Sequence, residues 1–231
     1  GLIGGGRLLL PGEITLSHNG ILFLDELPEF RRNVLEALRQ PLEEQRIVLS
    51  RGGTHVEYPA AFQLIAAMNP CPCGFYNHPT KACNCPPGQI HRYRNKISGP
   101  LLDRIDLQVE VTPISEIDLI KKDALTTKHR SSIQERIIAA RDQQLERWKG
   151  HKGIQCNGQA SGAALQAACE LEESSKNLLQ NAFKKLSLSA RAYEKVLKIA
   201  RTIADLDQKE KIHSVHLAEA LQYRSLDKPS I

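Results

Sequence analysis

Ile21-Leu22-Phe23-Leu24-Asp25-Glu26 runs four apolar side chains directly into two carboxylates. An uninterrupted apolar run of this kind predicts a strand buried on both faces, as in a parallel sheet, and open α/β sheets bind ligands at the carboxyl ends of such strands. The pattern is that of a Walker B strand. In phosphate-loop NTPases the first carboxylate, here Asp25, holds Mg²⁺, and the second, here Glu26, activates the water that attacks the γ-phosphate of ATP. A buried strand whose acidic end begins a solvated helix is the plainer explanation of the same residues.

The usual companion of this strand is a phosphate-cradling loop of the form Gly-x4-Gly-Lys-Ser/Thr, and the sequence contains none. The chain opens at Gly1-Leu2-Ile3-Gly4-Gly5-Gly6, too close to the strand for that loop and its helix. The expectation is a carboxyl-terminal part of a larger ATPase, divided within its catalytic domain.

The 231 residues, 41% hydrophobic and 25% charged, supply one sizeable core and a smaller one. No apolar run approaches the roughly 18 residues of a membrane span, and no signal-peptide pattern is present, so the expected location is the cytoplasm without a membrane partner. A formal charge of +5 permits nucleic acid without demanding it. Six cysteines in such a chain point to metal ligands or core thiols rather than a disulfide scaffold.

Downstream, Phe30, Val34, Leu35, Leu38 and Leu42 recur at helical spacing, predicting a helix packed on the sheet. Arg46–Arg51 and Thr54–Tyr58 flank Gly52-Gly53, a hairpin signal, with Arg46 and Arg51 expected near the turn. Phe62–Met68 is a second buried-strand run, ending at Asn69-Pro70. Asn69 fits the polar sensor at the end of the strand beside Walker B; taken singly, an Asn before Pro is a turn residue.

The order of these parts, with Leu101-Leu102-Asp103-Arg104-Ile105-Asp106-Leu107 after them, resembles the magnesium-chelatase-like AAA+ ATPases. Gly20–Phe30, Asn69–Gly74 and Ser98–Arg104 look specifically like the ComM/YifB branch. The resemblance covers nearly the whole chain. It departs within Gly4-Gly5-Gly6-Arg7-Leu8-Leu9-Leu10-Pro11-Gly12-Glu13, where the family shows Ser after the glycines and Pro-Arg before Pro-Gly-Glu.

The resemblance implies a partial AAA+ core of α/β class, an αβα sandwich with a mostly parallel sheet, over residues 1–112, followed by an α-helical lid over 113–231. It implies ATP and Mg²⁺ bound between subunits of a homo-oligomeric ring, a hexamer in the family. Arg104 corresponds to the arginine finger, which neutralises γ-phosphate charge in a neighbouring subunit's transition state. Its local alternative is an ion pair with Asp103 or Asp106. Arg191, in the first turn of a helix capped by Ser189, corresponds to sensor 2, and a cation there sits unfavourably on the helix dipole unless it meets phosphate.

Cys71-Pro72-Cys73 and Cys83-Asn84-Cys85 bracket a polar loop. Two close thiol pairs on one loop can hold a tetrahedral Zn²⁺, although one intervening residue is tighter than usual; reduced structural or redox-sensitive thiols are the alternative. His91-Arg92-Tyr93-Arg94-Asn95-Lys96 follows. Arg92, Arg94 and Lys96 on phosphate with Tyr93 stacked on a base, together with Arg46 and Arg51 on the hairpin, would grip single-stranded DNA without reading sequence; a solvated basic face is the alternative.

Beyond Pro113 the pattern turns helical. Ser132 and Glu135 form a capping-box signature, with Ile133, Ile137, Ile138, Leu145 and Trp148 expected on one face. Further helices are predicted over 163–171, 173–186, 190–205 and 214–223. Three functions follow: an ATP-driven ring motor on single-stranded or branched DNA, a helicase or branch-migration factor of natural transformation or recombination; the motor of a metal chelatase; or a non-catalytic interaction module in this length of chain.

Overall fold

The computed structural model describes residues 1–113, 127–186 and 189–224. Gly4–Gly5 (β1) and Leu10–Pro11 (β2) pair as a short antiparallel ribbon. A Cβ at Gly12 would lie 2.2 Å from the Gly4 backbone nitrogen, so the crossing requires glycine. One turn, Glu13–Leu16 (α1), then leads into Ile21–Leu24 (β3).

β3 is parallel to Gln63–Ala66 (β6), with Phe23 opposite Ile65 and Leu24 opposite Ala66. The strand is buried on one face only: Leu22 and Leu24 enter the core, whereas Ile21 and Phe23 are each 59% exposed. The expectation of burial on both faces is corrected: among the described residues the core packs on the Leu22/Leu24 side. Ile14, Leu35, Leu38, Ile47, Leu49 and Leu101 complete that core.

The single helix predicted from Phe30 to Leu42 is two: Arg32–Ala37 (α2) and Arg39–Glu44 (α3), after a 3₁₀ turn at Leu27–Glu29. Pro41 has no N–H to offer the Ala37 carbonyl, which interrupts the ladder at this point. Arg46–Arg51 (β4) and Thr54–Pro59 (β5) form the predicted hairpin, Arg51 opposite Thr54. Its two-residue turn has positive φ at Gly52 (+54°) and Gly53 (+82°), the geometry that favours glycine at both positions. Pro87–Arg94 (α4) and Gly99–Leu102 (α5) close this unit, Ser98 Oγ capping α5 by accepting the Leu101 N–H at 3.3 Å.

Contacts divide the chain into Gly1–Ile105 and a second unit from Asp106 onward. The second is helical: Thr127–Arg147 (α6), Gly162–Ala168 (α7), Glu173–Leu186 (α8), Ala190–Leu206 (α9) and Ser214–Gln222 (α10). The start of the helical segment predicted from Pro113 lies outside the described residues. On α9, Val196, Leu197 and Ala200 lie in the core and pack with Trp148, Leu165, Leu179 and Leu217. Among the described residues no helix is long and apolar enough to cross a membrane.

α6 corrects the capping expectation and shows which side of the helix is buried. It begins at Thr127, so Ser132 and Glu135 are interior residues and not a cap. Its buried side carries Ala140, Gln144 and Trp148, while Ile133, Ile137, Ile138 and Leu145 face outward. Polar contacts set this rotation. Gln144 Oε1 accepts the Asn157 N–H (3.1 Å), and Arg147 makes two bonds, 2.6 and 2.8 Å, to the fully buried carboxylate of Asp205. Arg201 Nε (3.1 Å) and Asn157 Nδ2 (2.7 Å) also donate to Asp205. A buried carboxylate is tolerated only when its acceptor sites are filled in this way.

Candidate nucleotide site and metal centre

Asp25 and Glu26 stand exposed at the carboxyl end of β3. The Asp25 carboxylate accepts the Glu26 N–H at 2.8 Å, and Glu26 takes a left-handed backbone conformation (φ 49°). A non-glycine residue in that region is held there by its surroundings, and such positions gather at functional sites. The constraint is visible: Leu27 N–H, next in the chain, bonds the Ala67 carbonyl (2.9 Å), locking the turn to the end of β6. Asn69, also exposed, lies two residues beyond Ala67, so the parallel register brings the sensor candidate and the acidic pair to the same end of the sheet.

Arg104 follows α5 with a side chain only 13% exposed. One terminal nitrogen contacts Glu43, the other donates to the Pro100 carbonyl (2.7 Å), and buried Nε has no hydrogen-bond partner. The pair borders an open cleft of about 460 Å³ that also touches Glu36, Arg39 and Gln40. The partner is neither Asp103 nor Asp106, the two that sequence proximity offers. Asp106 instead meets Lys195 Nζ at 2.6 Å in the second unit, where burial pulls the lysine below its ordinary pKa. Arg191 is exposed in the first turn of α9, which Ser189 Oγ caps by accepting the Ala192 N–H (3.1 Å), as predicted.

The hairpin separates its two arginines. Arg51 is exposed beside the glycine turn; Arg46 is at the base, opposite Pro59, with Glu44 at 3.2 Å and Glu57 at 2.8 Å. Those two carboxylates raise its pKa. On α4, Arg92 and the following Lys96 are exposed, but Tyr93 is only 6% exposed and its phenol is hydrogen-bonded by the Asn69 backbone. Its ring is packed inside rather than offered to a base. The outward aromatic is Tyr76, with the Arg94 guanidinium 4.9 Å from its ring centre, a residue the sequence reading passed over although its neighbourhood to the cysteines was visible.

Cys71, Cys73, Cys83 and Cys85 converge, all four sulfurs lying within 4.8 Å of one another. The two-residue pairs meet because Gly74 turns the chain at φ +81° just after Cys73. The Phe75 N–H directed at Cys73 draws that thiol down to about 6, while burial pushes Cys85 up to about 12. The cluster is a set of soft donors able to hold a metal ion. His78 and His91, nearby in sequence, are turned to other partners: His78 accepts backbone N–H groups of Thr80 and Lys81, and His91 contacts Asn95. Cys156 and Cys169 lie outside the cluster.

Two family models account for nearly all of the chain: magnesium chelatase, subunit ChlI, over residues 1–119, and the C-terminal region of the same subunit over residues 127–224. The chain is 44% identical over 229 residues to the protein YifB of Salmonella typhimurium, which covers 98% of this chain and 43% of that protein. It is 43% identical over 225 residues to competence protein ComM of Haemophilus influenzae, 97% of this chain and 43% of the relative. An MCM-type protein of Methanocaldococcus jannaschii is 32% identical over 135 residues, 56% of this chain and 18% of its own length. This chain thus spans less than half the length of the first two of these curated relatives.

Proposed function

The chain belongs to the magnesium-chelatase ChlI family, and from that membership we propose that the full-length protein is an ATP-hydrolysing AAA+ ring motor, a hexamer, that acts on single-stranded or branched DNA. The observation that carries this reading is the meeting of Asp25, Glu26 and Asn69 at one end of the β3/β6 pair. The residues fit a magnesium nucleotide. Two exposed acceptor-only carboxylates stand at the same end of the strand pair as an amide, one of them on a constrained left-handed turn.

ATP with Mg²⁺ supplies the phosphoryl group and the cation that offsets its charge. Asp25, whose carboxylate accepts the Glu26 N–H, would hold the Mg²⁺. Glu26 accepts the proton of the attacking water, and Asn69 holds that water or a phosphate oxygen by hydrogen bonding. Arg104 acts on a neighbouring subunit's nucleotide, which requires exchange of Glu43 for phosphate. Arg191 serves as sensor 2 on a helical lid comprising residues 113–231. Arg51 at the hairpin tip, with Arg92, Arg94 and Lys96, meets DNA phosphates; Tyr76 takes over the stacking role first given to Tyr93, and Arg46 braces the hairpin base. The four cysteines add Zn²⁺ as a second metal. Similarity to a competence protein and to an MCM-type protein supports DNA over a tetrapyrrole as the partner.

The test is ATP hydrolysis by the full-length protein with and without single-stranded and branched DNA. Stimulation by DNA that disappears in Glu26→Gln supports the motor. Hydrolysis indifferent to DNA but dependent on a partner subunit and a porphyrin would assign it to the chelatases instead.

A further inference from the structure

We propose that Cys71, Cys73, Cys83 and Cys85 hold one Zn²⁺ that positions Asn69, so that metal occupancy sets the geometry of the strand end beside Asp25 and Glu26. This rests on the sensor role given to Asn69 above. A tetrahedral site with Zn–S bonds of about 2.3 Å places its sulfurs about 3.8 Å apart. Here Cys71 is 3.4 Å from Cys73 and 3.7 Å from Cys83, and Cys73 is 3.6 Å from Cys83. These are too long for disulfides and right for a shared cation.

Backbone N–H groups of Phe75, Cys85 and Cys73 are hydrogen-bonded to the sulfurs of Cys73, Cys83 and Cys85 respectively, the supporting shell that thiolates require. The composition answers the excess negative charge of a tetrathiolate centre. Between Glu57 and Asp103 there is no Asp or Glu, whereas Lys81, Arg92, Arg94 and Lys96 all fall in that span. The loop itself is polar and buries little besides Cys71, so its own apolar contacts do not hold it in place.

Asn69 is linked to this centre through the chain, through α4 and through the turn at Gly74. Cys71 follows it by two residues. Arg94 Nε donates to the Pro70 carbonyl at 3.1 Å, and the Tyr93 phenol meets the Asn69 backbone. A Cβ at Gly74 would sit 3.9 Å from Asn69 Oδ1, so the loop passes directly over the sensor side chain. Metal on the four sulfurs therefore holds β6 to α4 at the residue assigned to the γ-phosphate.

The experiment uses the full-length protein. Elemental analysis after dialysis is expected to give one zinc per chain, lost in the Cys73→Ser/Cys83→Ser variant; cobalt in its place should give the intense visible bands of a tetrahedral sulfur site. Hydrogen exchange is then compared before and after a mercurial releases the metal from the unmutated protein, which avoids dependence on a variant that fails to fold. Exchange over 67–76 and 88–97 should accelerate about tenfold or more, with the 46–58 hairpin unchanged. Absence of zinc overturns the centre. Zinc present with unchanged exchange at 67–76, or acceleration spread equally to the hairpin, overturns the positioning of Asn69. Neither result alters the DNA-stimulated hydrolysis assay, which stands or falls on Glu26.

Discussion

Arg104 is tied to Glu43 at the end of α3, and its other terminal nitrogen to the carbonyl of Pro100 (2.7 Å). On the proposed ring, a guanidinium so occupied must exchange Glu43 for phosphate before it can act in a neighbouring subunit. Arg104→Ala should lower turnover of the full-length enzyme by about 10³ or more, as removal of an arginine finger does. Glu43→Ala, which removes the internal partner and leaves the guanidinium in place, should cost less than about tenfold. Equal losses in steady-state hydrolysis would mean that Arg104 serves the fold and not the nucleotide.

Asp205 takes hydrogen bonds from Arg147, Arg201 and Asn157 while fully buried. Asp205→Ala leaves two guanidiniums without their counter-charge in the interior, and breaking a buried pair in this way costs about 3–5 kcal/mol. Chemical denaturation followed by Trp148 fluorescence is the readout, since Trp148 Nε1 donates to Asn157 (3.1 Å) in the same network. A midpoint unchanged by the substitution would show that the network adds no stability.

His216 carries a pH dependence. Its Nδ1 accepts the His213 N–H at 3.0 Å in the first turn of α10, which requires that nitrogen unprotonated. Burial lowers its pKa below the ordinary 6.5, against the opposing pull of Asp207; His213 and Arg201 push the same way as burial, Glu219 the other. The unfolded chain therefore binds the proton more readily. The stabilising contribution is complete above the unfolded value and is lost as pH falls through the folded one. Denaturation midpoints should drop between about pH 7 and pH 5, and drop less in His216→Gln. Parallel pH profiles for the two proteins would remove His216 as the cause.

At the hairpin the two arginines should behave differently. Arg51→Ala should weaken DNA binding uniformly across sequences and reduce the slope of log affinity against log salt by about 1. Arg46, already satisfied by Glu44 and Glu57, should leave that slope nearly unchanged when replaced by Ala. Fluorescence anisotropy with single-stranded oligonucleotides over a salt series separates them. Equal slopes in both variants would remove the tip from the DNA path.

Tyr76→Ala should cost about 1–3 kcal/mol of single-strand affinity if its exposed ring stacks on a base, read by the same titration. Tyr93→Phe, which removes a phenol bonded to the Asn69 backbone and leaves the buried ring, should change binding little.

The amino-acid sequence alone determined the features written in short-range pattern. Four apolar residues before Asp25-Glu26 made β3, Gly52-Gly53 made the hairpin turn, Ser189 capped α9, and two cysteine pairs a dozen residues apart met in one cluster. Each depends on a period, a turn residue or a cap, and those act over a few positions. Tertiary structure alone decided that Arg104 meets Glu43 rather than the adjacent aspartates, that Tyr93 is buried and Tyr76 exposed, and that α6 turns Gln144 inward and Ile137 out. In each case the deciding partner is distant in the chain, and hydrophobic periodicity carries no record of which charged or polar group another element will present. α6 shows the consequence: its apolar stripe does not say which side is buried, and the buried carboxylate of Asp205, 58 residues beyond Arg147, takes hydrogen bonds from the end of this helix.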